Sequence, residues 1–154
     1  MKLFFLVSVF PLLVLSPNPI KNKELLKRFY DEVYVQWNMK TADELLSPDF
    51  LSHDWENDYK GAKGFRKYYA AFKNALPDAK YIIKDILADR DKVVVRWEMH
   101  ATYTNSFPGI NIPPTGQQIT LKGIAIYRIE NNLLAERWVV SDLYELINNL
   151  NNQH

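Results

Sequence analysis

Leu25, Phe29, Val33 and Trp37 recur every four residues, with Leu26 and Tyr30 beside them, which predicts an amphipathic helix over 21–38. Thr41, Ala42, Asp43 and Glu44 have the form of a capping box, so a second, short helix is expected to start there and end before Pro48. Phe65, Tyr68, Tyr69, Phe72 and Leu76 line one face of a third helix that Pro77 stops. From Tyr81 the period changes to two. Val93, Val95, Trp97, Met99, Ala101 and Tyr103 alternate with polar or smaller residues, which predicts a long half-buried strand. Ile119, Leu121, Gly123, Ala125, Tyr127 and Ile129 share one face of the next strand, while Ile124 and Ile126 point the other way. Pro113-Pro114-Thr115-Gly116 is a rigid loop aiming that strand, and Asn131-Asn132 turns it back into an antiparallel partner carrying Ala135, Arg137 and Val139 on the inner side. A last helix is expected around 142–150. Helices first and antiparallel strands after them give an α+β domain.

The chain has 154 residues, suited to one compact domain, and 47% hydrophobic with 14% aromatic residues argue for a packed core. A formal net charge of +1 gives no electrostatic reason to expect nucleic acid. Lys21, Lys23, Lys27 and Arg28 cluster as the solvated side of the first helix. The absence of cysteine excludes disulfides, a thiolate nucleophile and cysteine-ligated metal. At the start, Lys2 precedes an apolar run over 3–15, ended by Ser16-Pro17-Asn18-Pro19. That run is too short for a membrane span of about 20 residues but matches the apolar region of a secretory signal. Residues 1–19 are therefore expected to be a signal peptide or N-terminal anchor, and 20–154 the folded domain, secreted or periplasmic. The competing readings are a core strand or a misassigned start, which would leave the protein cytoplasmic.

Several motifs carry a family resemblance. They are Pro48-Asp49-Phe50, Tyr59-Lys60-Gly61 followed by Gly64-Phe65-Arg66, Asp91-Lys92-Val93-Val94-Val95-Arg96-Trp97, and the block from Ile112 to Asp142. Over about residues 21–150 the chain resembles the SnoaL-like family, the polyketide and ester cyclases of the nuclear transport factor 2-like superfamily. The resemblance implies a cone-shaped barrel: three N-terminal helices packed on a curved antiparallel sheet that encloses a pocket, closed by a C-terminal helix. It also implies a small hydrophobic carbonyl or polyketide-like compound as the ligand. In the cyclases that the chain resembles, an Asp on the last strand is general acid and base for an intramolecular aldol step, helped by polar partners on the strand before. That Asp lies three residues before the position matching Asp142, where this chain has Val139; the partner positions hold Ala125 and Tyr127. The same substitution removes the catalytic Asp of the related limonene-epoxide-hydrolase type. The resemblance thus leaves two functions open. One is an aldol-type cyclase or isomerase with a different acid and base, and the other a non-catalytic small-molecule binding protein of the same fold.

The candidate catalytic residues are His53, Asp142 and Arg137. His53, in Ser52-His53-Asp54-Trp55, stands where SnoaL-like chains often place a pocket histidine; it reads either as a base or donor, or as a loop residue packed under Trp55. Arg137 shares the inner face with Val139 and could hold a carboxylate or enolate oxygen, or instead pair with a helix carboxylate. Asp142 reads as the recurring acid of the family or as the N-cap of the last helix, with Glu145 at N3. Tyr30, Trp37, Tyr69, Phe72, Trp97, Tyr103, Tyr127 and Val139 are expected to line the pocket, and Tyr34 adds to the inward aromatic surface. His53, Asp54, Glu56 and Asp58 are crowded but lack a second histidine at ligand spacing, so no metal is expected, and no motif calls for another cofactor. On the opposite sheet face, Val94, Ile124, Ile126, Trp138 and Val140 form an apolar patch with Arg96 and Glu136 at its border. That patch predicts a homodimer anchored by Trp138, Ile124 and Ile126, the sheet-to-sheet pairing that the resemblance also implies.

Overall fold

The computed structural model describes residues 18–53, 59–106 and 112–151. The apolar run before Asn18, the stretch 54–58 beside His53 that holds Asp54, Trp55, Glu56 and Asp58, and the polar tail beyond 151 lie outside the described residues. Among the described residues no helix is long and apolar enough to cross a membrane.

Asn18 starts the first helix. Its side chain accepts from the amides of Ile20 and Lys21 at 3.1 and 3.2 Å, and Pro19 occupies the first turn, where its missing donor is not needed. Helix α1 spans Pro19–Arg28, then widens without a break into a π-helix, Phe29–Val35, which the apolar period alone does not announce. The chain leaves it through Trp37 in the left-handed region, at φ 59°. Long π segments are rare and recur at functional sites. This one buries Phe29, Tyr30, Val33 and Tyr34 against the sheet.

Helix α2 spans Met39–Leu45, and here the expected capping box is corrected. Asn38 is the cap, accepting from Lys40 and Thr41 amides, while Thr41 is buried and gives its hydroxyl to Glu32 at 2.5 Å. The local pattern was outbid by a side-chain partner on the preceding helix. Strand β1 (Leu46–Ser52) follows directly, then α3 (Gly61–Ala75), which ends before Pro77 as expected. Gly61 sits at φ +62°, with the backbone oxygen of Pro48 where a Cβ would be, so no other residue fits there without strain.

Strands β2 (Lys80–Asp89), β3 (Lys92–Thr102), β4 (Gln118–Glu130) and β5 (Leu133–Ser141) follow in order, and α4 (Leu143–Asn151) closes the chain. The sheet runs β1-β5-β4-β3-β2. Asn131 and Asn132, at φ 52° and 60°, make the two-residue hairpin that sets the β4–β5 register. Two expectations about the sheet need correcting. It is mixed, because β1 runs parallel to β5, and it is an open sheet rather than a closed barrel. No hairpin joins β1 to β5, so no tight turn dictates an antiparallel direction. The concave face is covered instead by α1, its π extension and α3. Side-chain parity follows the sequence along β3 and β4, where Val93, Val95, Met99, Ala125 and Tyr127 are buried. On β2 a register shift between Ile83 and Asp85 reverses the alternation, so Tyr81 and Ile83 face inward before it and Ile86 and Ala88 after it.

Gly123 pairs with Trp97, and the indole lies across the space a Cβ would occupy, with the backbone oxygen of Val140 2.8 Å away. Gly123→Ala must therefore push the ring or part the strands. Overpacking of this kind costs about 2 kcal/mol, and a chemical-denaturation curve should show that loss together with a changed tryptophan emission.

Candidate functional site

The concave side of the sheet holds a cavity of about 210 Å³. The π-helix contributes Tyr30 and Tyr34, α3 contributes Tyr68, Tyr69 and Phe72, and the strands contribute Tyr81, Trp97, Leu121, Arg137 and Val139. Ser141 and Leu143 lie where β5 passes into α4. The walls are therefore aromatic and aliphatic, and the polar groups are hydroxyls and one guanidinium. Among the described lining residues there is no carboxylate and no imidazole.

Arg137 organises the floor. It is 3% exposed. Nε donates to Ser52 Oγ at 2.8 Å, and Nη1 donates to the hydroxyls of Tyr34 at 2.8 Å and Tyr69 at 2.7 Å. The Tyr69 hydroxyl donates to the Tyr34 oxygen at 3.1 Å, and the Tyr34 and Tyr127 hydroxyls lie 3.2 Å apart. Residues from β1, the π-helix, α3, β4 and β5 thus meet in one hydrogen-bonded cluster. Register explains the first of these: Ser52 pairs with Arg137 across the parallel β1–β5 contact, so both side chains enter on the same face. Tight ring contacts complete it, with Phe29 to Tyr34 at 5.1 Å and Phe65 stacked on Tyr69 at 4.5 Å.

Burial pushes the phenols of Tyr30, Tyr34, Tyr69 and Tyr127 far above the ordinary tyrosine range, and that of Tyr81 upward as well. The charge of Arg137 pulls each of them back only in part. All five remain protonated at neutral pH and can act as donors. Chemically, the cavity can receive an oxygen that carries or develops negative charge. It offers no described side chain suited to accept a proton at neutral pH.

Of the expected site residues, Tyr30, Tyr69, Phe72, Trp97, Arg137 and Val139 share this cavity. Trp37 lines a neighbouring crevice beside Lys73 and Ala79. Tyr103 borders a separate apolar hollow under α4 and gives its hydroxyl to the Ile112 carbonyl at 2.6 Å. Tyr127 is fully buried behind the cavity wall, against Tyr30 and with its hydroxyl 3.2 Å from that of Tyr34. His53 and Asp142 are the larger corrections to the expected placement. Since Ser52 points inward beside Arg137, the next residue points outward, and His53 stacks on Trp138 on the outer face, 4.6 Å between ring centroids and 5° from parallel. Its Nε2 lies 3.4 Å from Glu136. Asp142 also lies outside the cavity: its Oδ1 accepts the Lys122 amide at 2.7 Å, extending the β4 edge. Its carbonyl receives the Leu146 amide of α4 at 3.0 Å, so it stands at the cap position with its carboxylate committed elsewhere. Ser52, Tyr81 and Ser141 were missed. Ser52 could have been found from its pairing with Arg137, had the β1–β5 contact been visible; Tyr81 begins the period-two run but was not carried to the pocket.

Val139 pairs with Ala125 on the cavity wall. A proposed polyketide cyclase from Acidithiobacillus ferrooxidans is 27% identical, with a TM-score of 0.74 over 87% of this chain and 96% of that one. TsrD from Streptomyces laurentii superimposes with a TM-score of 0.76 at 22% identity, over 86% of this chain and 96% of that one. AclR from Streptomyces galilaeus, a proposed hydroxylase, does so at 0.73 and 24%, over 88% and 98%. These last two share the fold. No curated protein matches the chain in sequence. Residues 24–150 match the family model of the SnoaL-like polyketide cyclases, with an α+β architecture of four helices on a five-stranded mixed sheet common to these neighbours. The chain belongs to the SnoaL-like polyketide cyclase family.

Proposed function

We propose that the central cavity takes a small, hydrophobic carbonyl compound and holds its oxygen against the tyrosine and arginine donors, easing the approach to an enol or enolate as an aldol-type cyclase or isomerase would. One observation carries this reading: aromatic walls surround hydroxyls and one guanidinium, with no carboxylate or imidazole among the described lining residues. Donors preset around a developing oxyanion lower its cost most in a site that excludes water. A second reading has its own support. Val139 puts an aliphatic side chain where the resembled cyclases carry their acid, which favours a protein that holds the compound without converting it. Deuterium exchange at the α-carbon of an aryl diketone, followed by NMR with and without the protein, separates the two. Faster exchange supports catalysis; saturable binding with unchanged exchange supports the holding role; absence of binding removes both.

We further propose that the chain pairs through the outer sheet face. Ile124 is 49% exposed, Ile126 38% and Val140 78%, while Trp138 is half-buried under His53. Arg128 and Glu136, 2.7 Å apart, form a polar border. Apolar area of this kind stabilises by about 25 cal/mol per Å² when covered, and a two-fold contact covers it without forming filaments. Sedimentation at micromolar concentration should give twice the chain mass, and Ile124→Glu should give the monomer. A wild-type monomer would refute the pairing.

A further inference from the structure

The donors around the cavity are not equally available. Tyr34 accepts twice, from Arg137 at 2.8 Å and from Tyr69 at 3.1 Å, which uses both lone pairs of its oxygen. Its single proton must therefore go to Tyr127, 3.2 Å away. Tyr127 in turn lies against Tyr30, with ring centroids 6.3 Å apart. Counting protons along this path gives it a direction, from Arg137 through Tyr69 and Tyr34 to Tyr127, which packs beside Tyr30. The Tyr30 hydroxyl proton has no acceptor among the described groups. Yet Tyr30 is 3% exposed and stands on the cavity wall.

Tyr81 is similar. It lines the same cavity, its ring packs 4.9 Å from Tyr34 and 5.7 Å from Trp97, and its hydroxyl makes no hydrogen bond to another described group. A hydroxyl on a cavity wall with an unspent proton, buried in Tyr30 and half-buried in Tyr81, is satisfied by whatever fills the space before it. Resting on the carbonyl reading above, we infer that Tyr30 and Tyr81 are the residues that bind the ligand oxygen. Arg137 acts through the tyrosine chain as a positioning residue. The ligand then presents an oxygen lone pair to these hydroxyls, which on the carbonyl reading is that of a ketone or the enolate derived from it, on an apolar ring system.

The test uses the full chain with acetylnaphthalene and its deoxygenated analogue ethylnaphthalene, binding followed by tryptophan emission and the ketone by its carbonyl stretch. The wild type should bind the ketone more tightly and shift its stretch to lower frequency. Tyr30→Phe and Tyr81→Phe should each weaken ketone binding about five- to ten-fold, the worth of one hydrogen bond, while leaving the hydrocarbon's affinity unchanged and moving the stretch back. Ketone affinity unchanged in both variants overturns the tyrosine assignment and leaves the carbonyl reading standing. A wild type that prefers the hydrocarbon, or binds neither probe, overturns both. Circular dichroism checks that each variant folds, and if either does not, an unshifted wild-type stretch is itself the refuting result.

Discussion

Replacing Arg137 with methionine is expected to destabilise the fold by about 3 kcal/mol, from the loss of hydrogen bonds to a charged group worth about 1.5–3 kcal/mol each. The guanidinium donates to Ser52, Tyr34 and Tyr69, which belong to β1, the π-helix and α3, so its removal loosens three elements at once. Methionine fills most of the volume and removes the cost of burying a charge, so the loss stays below the sum of the bonds. A shift of about 10 °C in melting temperature follows for a domain of this size. Arg137→Lys should recover only part, because an ammonium keeps the charge but cannot reproduce the fork that reaches Ser52 and the two phenols together. A melting temperature of the methionine variant within about 1 °C of wild type, a change typical of surface sites, would show that the cluster forms without its cation.

The distribution of what could be read from the residues follows from the range of the forces involved. Strands β3 and β4 were legible because a half-buried strand writes its two faces into a strict alternation, as Val95, Trp97 and Met99 against Val94, Arg96 and Glu98 do. The Asn131-Asn132 turn was legible because few residues accept φ above zero. Other features depend on partners far away in sequence. The parallel contact of β1 with β5 joins Ser52 to Arg137 across 85 positions, and nothing near Ser52 announces it. His53 was assigned to the pocket by resemblance, and one step of parity along β1 places it outside. The Thr41 box failed for the same reason, since Glu32 took the hydroxyl that would have capped the helix. Arg137, by contrast, was placed by parity on β5, where the apolar neighbours Ala135 and Val139 mark the inner face.

This dependence on long-range pairing also explains why the cavity chemistry differs from the simplest expectation. The three candidate catalytic residues do not meet: Arg137 is inside, whereas His53 and Asp142 are tied to Glu136 and to the Lys122 amide on the other side of the sheet. The residues that do meet are tyrosines, which sequence patterning reports only as aromatic surface. Their hydroxyls acquire a role when the π-helix, α3 and β4 bring them within 3.2 Å of one another.

Raising the pH should unfold the protein through those same tyrosines. An isolated phenol ionises near pH 10, but burial holds the pKa values of Tyr30, Tyr34, Tyr69, Tyr81 and Tyr127 above that value in the fold. The folded state therefore keeps protons that the unfolded chain has already released. A raised pKa contributes stability that is fully present below the unfolded value and is lost as pH rises from there toward the folded one. Each such group removes up to about 1.4 kcal/mol per pH unit, so five acting together remove about 7 kcal/mol over one unit, comparable with the total stability of an ordinary domain. The expected result is a cooperative loss of far-ultraviolet circular dichroism above pH 10, with a block of phenolate absorbance appearing in the same step. In this scheme Tyr69→Phe removes one buried phenol and should make the loss of stability with pH shallower by about one fifth, even as it weakens the cluster at neutral pH. Phenolate absorbance from all nine tyrosines rising smoothly while the dichroism stays native would refute the buried donor cluster, and with it the protonated hydroxyls on which the cavity chemistry depends.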